Sequence, residues 1–412
     1  MNVYPFPAIR PNSSVAMSVS CLPYDVMNRT EAARMAQGNP HSFLRVIRSE
    51  IDIDPSVSSY DSSVYAKASE NLNQMIRAGT FIQDDTPCLY LYEQTLDNIS
   101  QLGIVACFSI DDYLEGRIKK HELTRPEKEV DRIQHFDACH AHTEPVFLAH
   151  RSHEPLDNLL KSYSLSNEPA YSFRTDDQVL HRLWVIHQES EIHEIQRVFQ
   201  SGIPHVYIAD GHHRTASSVK IGLKRKEENP DISTDDPSQY IMAVSFPHSD
   251  LRIMEYNRVV TDLNGLEPDS FLEMLLQNFL CEPSAGHVKP KKKHTFGMFL
   301  NDQWYRLEAL PHTYNGKDVI NSLDVSILQR HILEPLLGIS DPRTDQRIDF
   351  VGGIRGIHEL EKRVHTDMTL AFSLFPTTMD DLMQVADENK IMPPKSTWFE
   401  PKLRSGLFVH SF

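Results

Sequence analysis

An aspartate, a glycine, two histidines and an arginine follow one another at Asp210, Gly211, His212, His213 and Arg214, and none of them is a natural core filler. Imidazoles move protons near neutral pH, and a guanidinium grips phosphate or carboxylate through paired hydrogen bonds. The run lies between an apolar, β-like segment (Tyr207-Ile208-Ala209) and a helical pattern that begins at Thr215 (TASSVK). Glycine accepts positive φ and lets a ligand approach the backbone, while the first N–H groups of a helix have no partner within it and attract anions. Strand, turn and helix start together would make a place for an anion and a proton. The alternative is a polar surface turn in which the histidines only cap the helix.

A second dense stretch, Asp111 to Arg132, reads DDYLEGRIKKHELTRPEKEVDR. Pro126 suits the first turn of a helix. On that helix Lys128 and Arg132 share a face and Glu129 supports Arg132 at i+3, whereas Glu127 and Asp131 read as solvated charges. His121 and Glu122 precede the helix in an extended segment or loop. Further on, His135, Asp137, Cys139, His140 and His142 raise the question of a metal. Only His135 and Cys139 stand at i, i+4, so a polar helix end is the better reading.

The positioning elements follow from periodicity. Residues 31–38 (EAARMAQG) read as a short helix capped by Thr30, and Phe43-Leu44-Arg45-Val46-Ile47 as a strand. The apolar spacing from Ser59 to Arg77 predicts an amphipathic helix. Strands are expected at Cys88–Gln94 and Gly103–Ile110, paired as a hairpin, and again at 145–148, 183–186 and 239–246. Helices are expected near 156–165 and 190–200. Beyond 261 come a helix through FLEMLLQNF, a basic loop at Lys289–His294, a hairpin turning at Asn301-Asp302 and a helix through SLDVSILQRHILEPLLG. The tail Met392 to Phe399 could line a cleft. No regular βαβα alternation appears, so the fold class is α+β with mixed or antiparallel sheets. Three regions are expected: 1–110, 111–260 carrying the DGHHR turn, and 261–412.

A formal charge of −16, with 41 Lys+Arg against 57 Asp+Glu, argues against a general nucleic-acid surface. No apolar run reaches about 18 residues and the N-terminus lacks a signal-peptide core, so a cytoplasmic protein without membrane contact is expected. The five cysteines include no CxxC pair, which speaks against a zinc ribbon or a disulfide framework. Neither a GxxxxGK[ST] loop nor a GxGxxG, GxSxG or kinase signature occurs. Phosphate, if it binds, must use another loop.

The motifs PYDV, NPHSFLRV, IKKHELT, KEVDR, ADGHHR, YNRVV and PPKSTWFEPKLRSGL occur in order along nearly the whole chain. Together they resemble a bacterial conserved family of unknown function marked by ADGHHR. The DGHHR turn is also similar to that of the free L-serine kinases of the ParB/sulfiredoxin-like superfamily. That resemblance implies a ParB/sulfiredoxin-like catalytic core and phosphoryl transfer from ATP, ADP or pyrophosphate to free serine, giving O-phosphoserine. It implies Glu122 as general base, Asp210 orienting a histidine or Mg²⁺, and His212 as a catalytic residue whose backbone, with that of Gly211, binds phosphate. Phosphate binding would fall to Gly211, His213, Arg214 and Thr215, with Lys120, His121, Thr124, Lys128 and Arg132 neutralising the donor; Asn257 and Arg258 would hold the serine carboxylate. No resident metal beyond Mg²⁺ is implied. Two other readings stay open: a phosphohydrolase acting on phosphoserine, and a non-catalytic ParB-like protein that binds a nucleotide or anion.

Overall fold

The computed structural model describes residues 1–412. The chain divides into two compact units instead of three regions: Met1–Leu251 with Pro401–Phe412, and Arg252–Glu400. The boundary near 110 disappears because strands on both sides of it join one sheet.

In the first unit, α1 (Arg29–Ala36) is capped by Asn28 rather than Thr30. Asn28 accepts from the Glu31 N–H and Glu31 accepts from the Asn28 N–H, both at 2.9 Å, so two orphan donors are satisfied reciprocally. The stretch 43–47 is no strand: Leu44–Ile47 forms a single helical turn. Phe43, Leu44, Val46 and Ile47 are buried while Arg45 between them is half-buried, so the four apolar residues show no period-2 alternation that would mark a strand. Then come α2 (Ser62–Arg77), β1 (Leu89–Leu96), β2 (Ile99–Ser109), β3 (Ile118–Lys119), α3 (Pro126–Cys139), β4 (Val146–His150), α4 (Glu154–Ser166), β5 (Tyr171–Arg174), β6 (Leu180–Ile186), α5 (Glu189–Gly202), β7 (Val206–Asp210), α6 (His212–Glu228) and β8 (Tyr240–Pro247). Asp97 and Asn98, both at positive φ, make the tight turn of the β1–β2 hairpin.

The eight strands form one mixed sheet in the order β3-β7-β4-β8-β2-β1-β6-β5. β7 runs parallel to β3 and antiparallel to β4, and β4 runs parallel to β8. Alternate residues of the central strands, among them Leu89, Leu91, Ile104, Ala106, Phe108, Val206 and Ile208, form the core with Leu156 and Leu160 of α4 and Ile192, Ile195 and Phe199 of α5. Helix α3 packs against both α2 and α6. The last twelve residues are stitched back by backbone pairs Cys21–Ser405, Ile9–Val409 and His142–His410.

The second unit has a six-stranded antiparallel sheet of β9 (Tyr256–Val260), β10 (Phe279–Ser284), β11 (Thr295–Leu300), β12 (Gln303–Ala309), β13 (Ile348–Gly352) and β14 (Leu370–Leu374). Its order is β10-β12-β11-β14-β9-β13. Helix α7 (His358–Thr366) buries Leu360 against Val259, Phe299, Trp304, Val351 and Ala371. The expected helix at 322–338 is an α-turn, Asp324–Leu328, followed by a π-helical Gln329–Leu333. No helix is long and apolar enough to cross a membrane.

Candidate active site

Strand β7 does not end regularly. Ile208 pairs with Leu148 but Asp210 with Phe147, so Ala209 is the extra residue of a β-bulge that re-aims Asp210 at the strand end. Gly211 follows at φ +96° and is the N-cap of α6. A Cβ built there would lie 2.9 Å from Arg214 Nε and 3.1 Å from its Cζ, so neither torsion nor space allows a side chain. Gly211→Ala should cost about 1–3 kcal/mol in thermal or urea unfolding. Calorimetry with pyrophosphate on parent and variant tests whether the turn also seats an anion, in which case binding falls more steeply than stability. The first α-helical bond of α6 is Thr215 N–H to Gly211 O (2.9 Å), which leaves the N–H groups of His212, His213 and Arg214 without an acceptor inside the helix.

The segment 121–125 is held against this turn through the histidines. His212 Nε2 accepts from the His121 N–H at 3.5 Å, and His213 Nε2 from the Arg125 N–H at 3.0 Å. Accepting through Nε2 fixes the neutral tautomer with the proton on Nδ1. Burial presses in the same direction. It lowers His121 to about 4, pushes His212 well below the ordinary imidazole range with the help of His121, and lowers His213 against the pull of Asp25. The three imidazoles are therefore neutral at pH 7, not cations, and those of His212 and His213 act as hydrogen-bond acceptors. The rings of His121 and His212 meet edge to face at 4.5 Å, and the ligand atoms of His121, Glu122 and His212 lie within 4.8 Å of one another.

Asp210 is placed by a residue from the far end of the sequence. Lys402 Nζ donates to its Oδ2 at 3.0 Å, and Arg214 lies 3.9 Å from Oδ1. Burial alone would raise the Asp210 carboxyl, but the Lys402 ammonium and then the Arg214 guanidinium outweigh it and hold the group well below the ordinary carboxylate range. The Lys402 backbone is fixed in turn by Gln94 Nε2, which donates to its carbonyl at 2.8 Å.

Other residues singled out in the sequence have work inside the fold. Arg132 is buried, stacks on Tyr24 at 3.9 Å and pairs with Asp131 and Glu144. Arg214 is buried as well and donates to Pro145 O at 2.6 Å, so its guanidinium underpins the turn. Thr215 Oγ1 donates to Gly211 O (3.0 Å), and Thr124 Oγ1 to Glu129, which also pairs with Lys220. Lys128 donates to the Tyr60 hydroxyl at 2.9 Å beside a cavity of about 200 Å³ that Tyr24 and Arg132 also line. Lys120 is exposed, with its ammonium 5.6 Å from the Tyr113 ring centroid. Asn257 and Arg258 belong to the second unit. There Asn257 Oδ1 accepts from the Leu374 N–H at 3.0 Å, and Arg258 donates to the carbonyls of Tyr256 and Lys395. In the cluster at 135–142, His135 Nε2 meets Thr143 Oγ1 at 3.0 Å and His142 pairs with His410 along the backbone. Asp25, from the PYDV motif, acts electrostatically on both His213 and Arg214, which sequence reasoning did not anticipate.

Magnesium takes oxygen ligands, one or two carboxylates plus phosphate oxygens and water. The trio His121, Glu122 and His212 is nitrogen-rich and does not suit it; the oxygen donor at the helix start is the Asp210 carboxylate, whose Oδ2 is engaged by Lys402, so it could offer at most one oxygen to an ion held chiefly by phosphate and water.

Residues 3–326 match the family described as "Protein of unknown function (DUF1015)". No curated protein matches the chain. Among solved structures it is similar to a free serine kinase in complex with AMP, at 11% identity and TM-score 0.36, over 72% of this chain and 86% of that one. SbnI with C-terminal truncation from Staphylococcus aureus is similar at 10% identity and TM-score 0.37, over 73% and 85%. A conserved hypothetical protein from Pyrococcus furiosus is similar at 12% identity and TM-score 0.35, over 73% and 93%.

Proposed function

The chain belongs to that family of unknown function, and we propose that it is a small-molecule phosphotransferase that phosphorylates free L-serine at the DGHHR turn. One observation carries the reading: a carboxylate oxygen of Glu122 lies within 4.8 Å of an imidazole nitrogen of His212, the first residue of a helix whose leading N–H groups have no acceptor inside it. A proton acceptor beside an anion seat is what phosphoryl transfer to a hydroxyl requires, since its catalysis is mostly positioning and charge neutralisation. The resemblance of the turn to that of the free L-serine kinases supports serine as the acceptor.

In this reading the N–H groups of His212, His213 and Arg214 hold the transferred phosphoryl group. Glu122 takes the proton of the serine hydroxyl as its oxygen bonds to phosphorus. The bridging P–O bond breaks and its electron pair leaves with ADP, AMP or phosphate, according to whether the donor is ATP, ADP or pyrophosphate. Asp210 would hold Mg²⁺, whose charge offsets that of the donor phosphates. Lys402 keeps Asp210 ionised, and the exposed Lys120 supplies positive charge at the rim.

The test is ³¹P NMR of the purified chain with Mg²⁺ and L-serine, with ATP, ADP and pyrophosphate in separate tubes. A new O-phosphoserine signal in any tube supports the reading and identifies the donor. Free phosphate released from phosphoserine without a donor would replace it with a phosphohydrolase. Silence with every substrate would overturn it.

A further inference from the structure

We infer that His287, His358 and Glu361 of the second unit bind one divalent transition-metal ion of the Zn²⁺ class. His287 lies in the segment joining β10 to β11, while His358 opens α7 and Glu361 follows one turn later. Residues at i, i+3 share a helix face, a spacing that carboxylate–histidine metal sites use. The three ligand atoms lie within 4.8 Å of one another. Glu361 Oε1 is 2.9 Å from His287 Nε2, and Glu361 Oε2 is 3.5 Å from His358 Nδ1. Tetrahedral Zn²⁺, with bonds of about 2.0–2.1 Å, sets its ligand atoms roughly 3.3 Å apart, so the two distances bracket what the ion needs.

The surroundings orient this set. Trp304 of β12 donates its indole N–H to Glu361 Oε1 at 2.8 Å, and its ring meets His287 edge-on at 6.0 Å. The same Trp304 is packed with Leu360 of α7, so the group that steers the carboxylate is fixed by the core. A hydrogen bond to a ligating carboxylate from outside the ligand set is the usual second support of a metal site. Two imidazoles and one carboxylate suit Zn²⁺, Ni²⁺ or Cu²⁺ better than Mg²⁺ or Ca²⁺. The His358 side chain is 78% exposed, which gives the ion an entry path and leaves a fourth position for water. A bound ion would tie the 285–294 segment, with its lysine run, to α7. The alternative occupant of the same geometry is a proton on each imidazole nitrogen facing the carboxylate.

The experiment is calorimetric titration of the EDTA-stripped full chain with ZnCl₂, alongside the His287→Ala/His358→Ala double variant. The double variant should lose one equivalent of Zn²⁺; comparing equivalents separates this site from any ion taken at His121, Glu122 and His212. Trp304→Phe should retain the site but weaken it about tenfold. In a second measurement, Cu²⁺ should quench a component of tryptophan emission in the parent chain that is absent from Trp304→Phe and unquenched in the double variant. Unchanged stoichiometry and affinity in the double variant, with the same Cu²⁺ quenching, would overturn the inference.

Discussion

Glu122→Gln is expected to lower phosphoserine formation by about 10²–10⁴-fold while donor binding persists, because the amide keeps the shape and loses only the ability to take a proton. The other bases near the turn are poor. Burial lowers His121 to about 4 and holds His212 well below the ordinary imidazole range, so neither accepts a proton usefully at pH 7. Asp210 is held ionised by Lys402 and Arg214, which makes it a weaker base than an ordinary carboxylate. Glu122 is the carboxylate that remains in the cluster. Initial rates from a phosphoserine assay, paired with calorimetry of donor binding, check this. Full activity in the variant would remove Glu122 as base and, with it, the proposed proton path.

The second large effect falls on Lys402. Its side chain and that of Asp210 are 11% and 23% exposed, so breaking the pair strands a mostly buried carboxylate. Fully buried pairs cost 3–5 kcal/mol when one partner is removed, and partial exposure reduces that; Lys402→Met should cost about 2–3 kcal/mol and most of the activity. The pH dependence gives the sign. Asp210 titrates lower in the folded chain than the value of about 4 it has when unfolded, so the folded state gains stability above pH 4 and loses it as the pH falls below. In Lys402→Met the carboxyl returns toward its unfolded value, and the acid limb of the melting temperature should flatten between about pH 5 and pH 2. Lys402→Arg should keep most of the slope. Superimposable acid limbs in parent and Met variant would show that the pair contributes nothing.

These two residues also mark where the sequence could and could not be read. The DGHHR turn was legible because strand, glycine and helix are contiguous in the chain, so local propensity and an N-cap glycine suffice to draw it. Glu122 was legible as a charged residue just before a proline-started helix. Lys402 was not: 192 residues separate it from Asp210, and only the pairing of the last twelve residues with Cys21, Ile9 and His142 brings it back. For the same reason, composition could not place the return of the chain to its first unit at Pro401. Burial was the other hidden variable. It makes His212 and His213 neutral, and it engages Arg132 with Tyr24, Asp131 and Glu144 and Arg214 with the Pro145 carbonyl, partners that the sequence alone does not reveal. The run FLRVI misled because its apolar residues are buried on both sides of a half-buried Arg45 and so show no period, and the cap of α1 moved to Asn28 because its reciprocal pair with Glu31 outweighs the single bond Thr30 could make.

The most direct test of how the turn binds phosphate is a crystal structure of the Glu122→Gln chain with L-serine, Mg²⁺ and ADP or pyrophosphate. Phosphate oxygens are expected at about 2.7–3.1 Å from the N–H groups of His212, His213 and Arg214. The serine hydroxyl is expected within about 2.6–3.2 Å of the amide at position 122. Ordered phosphates seated elsewhere, with the α6 start left to solvent, would contradict it.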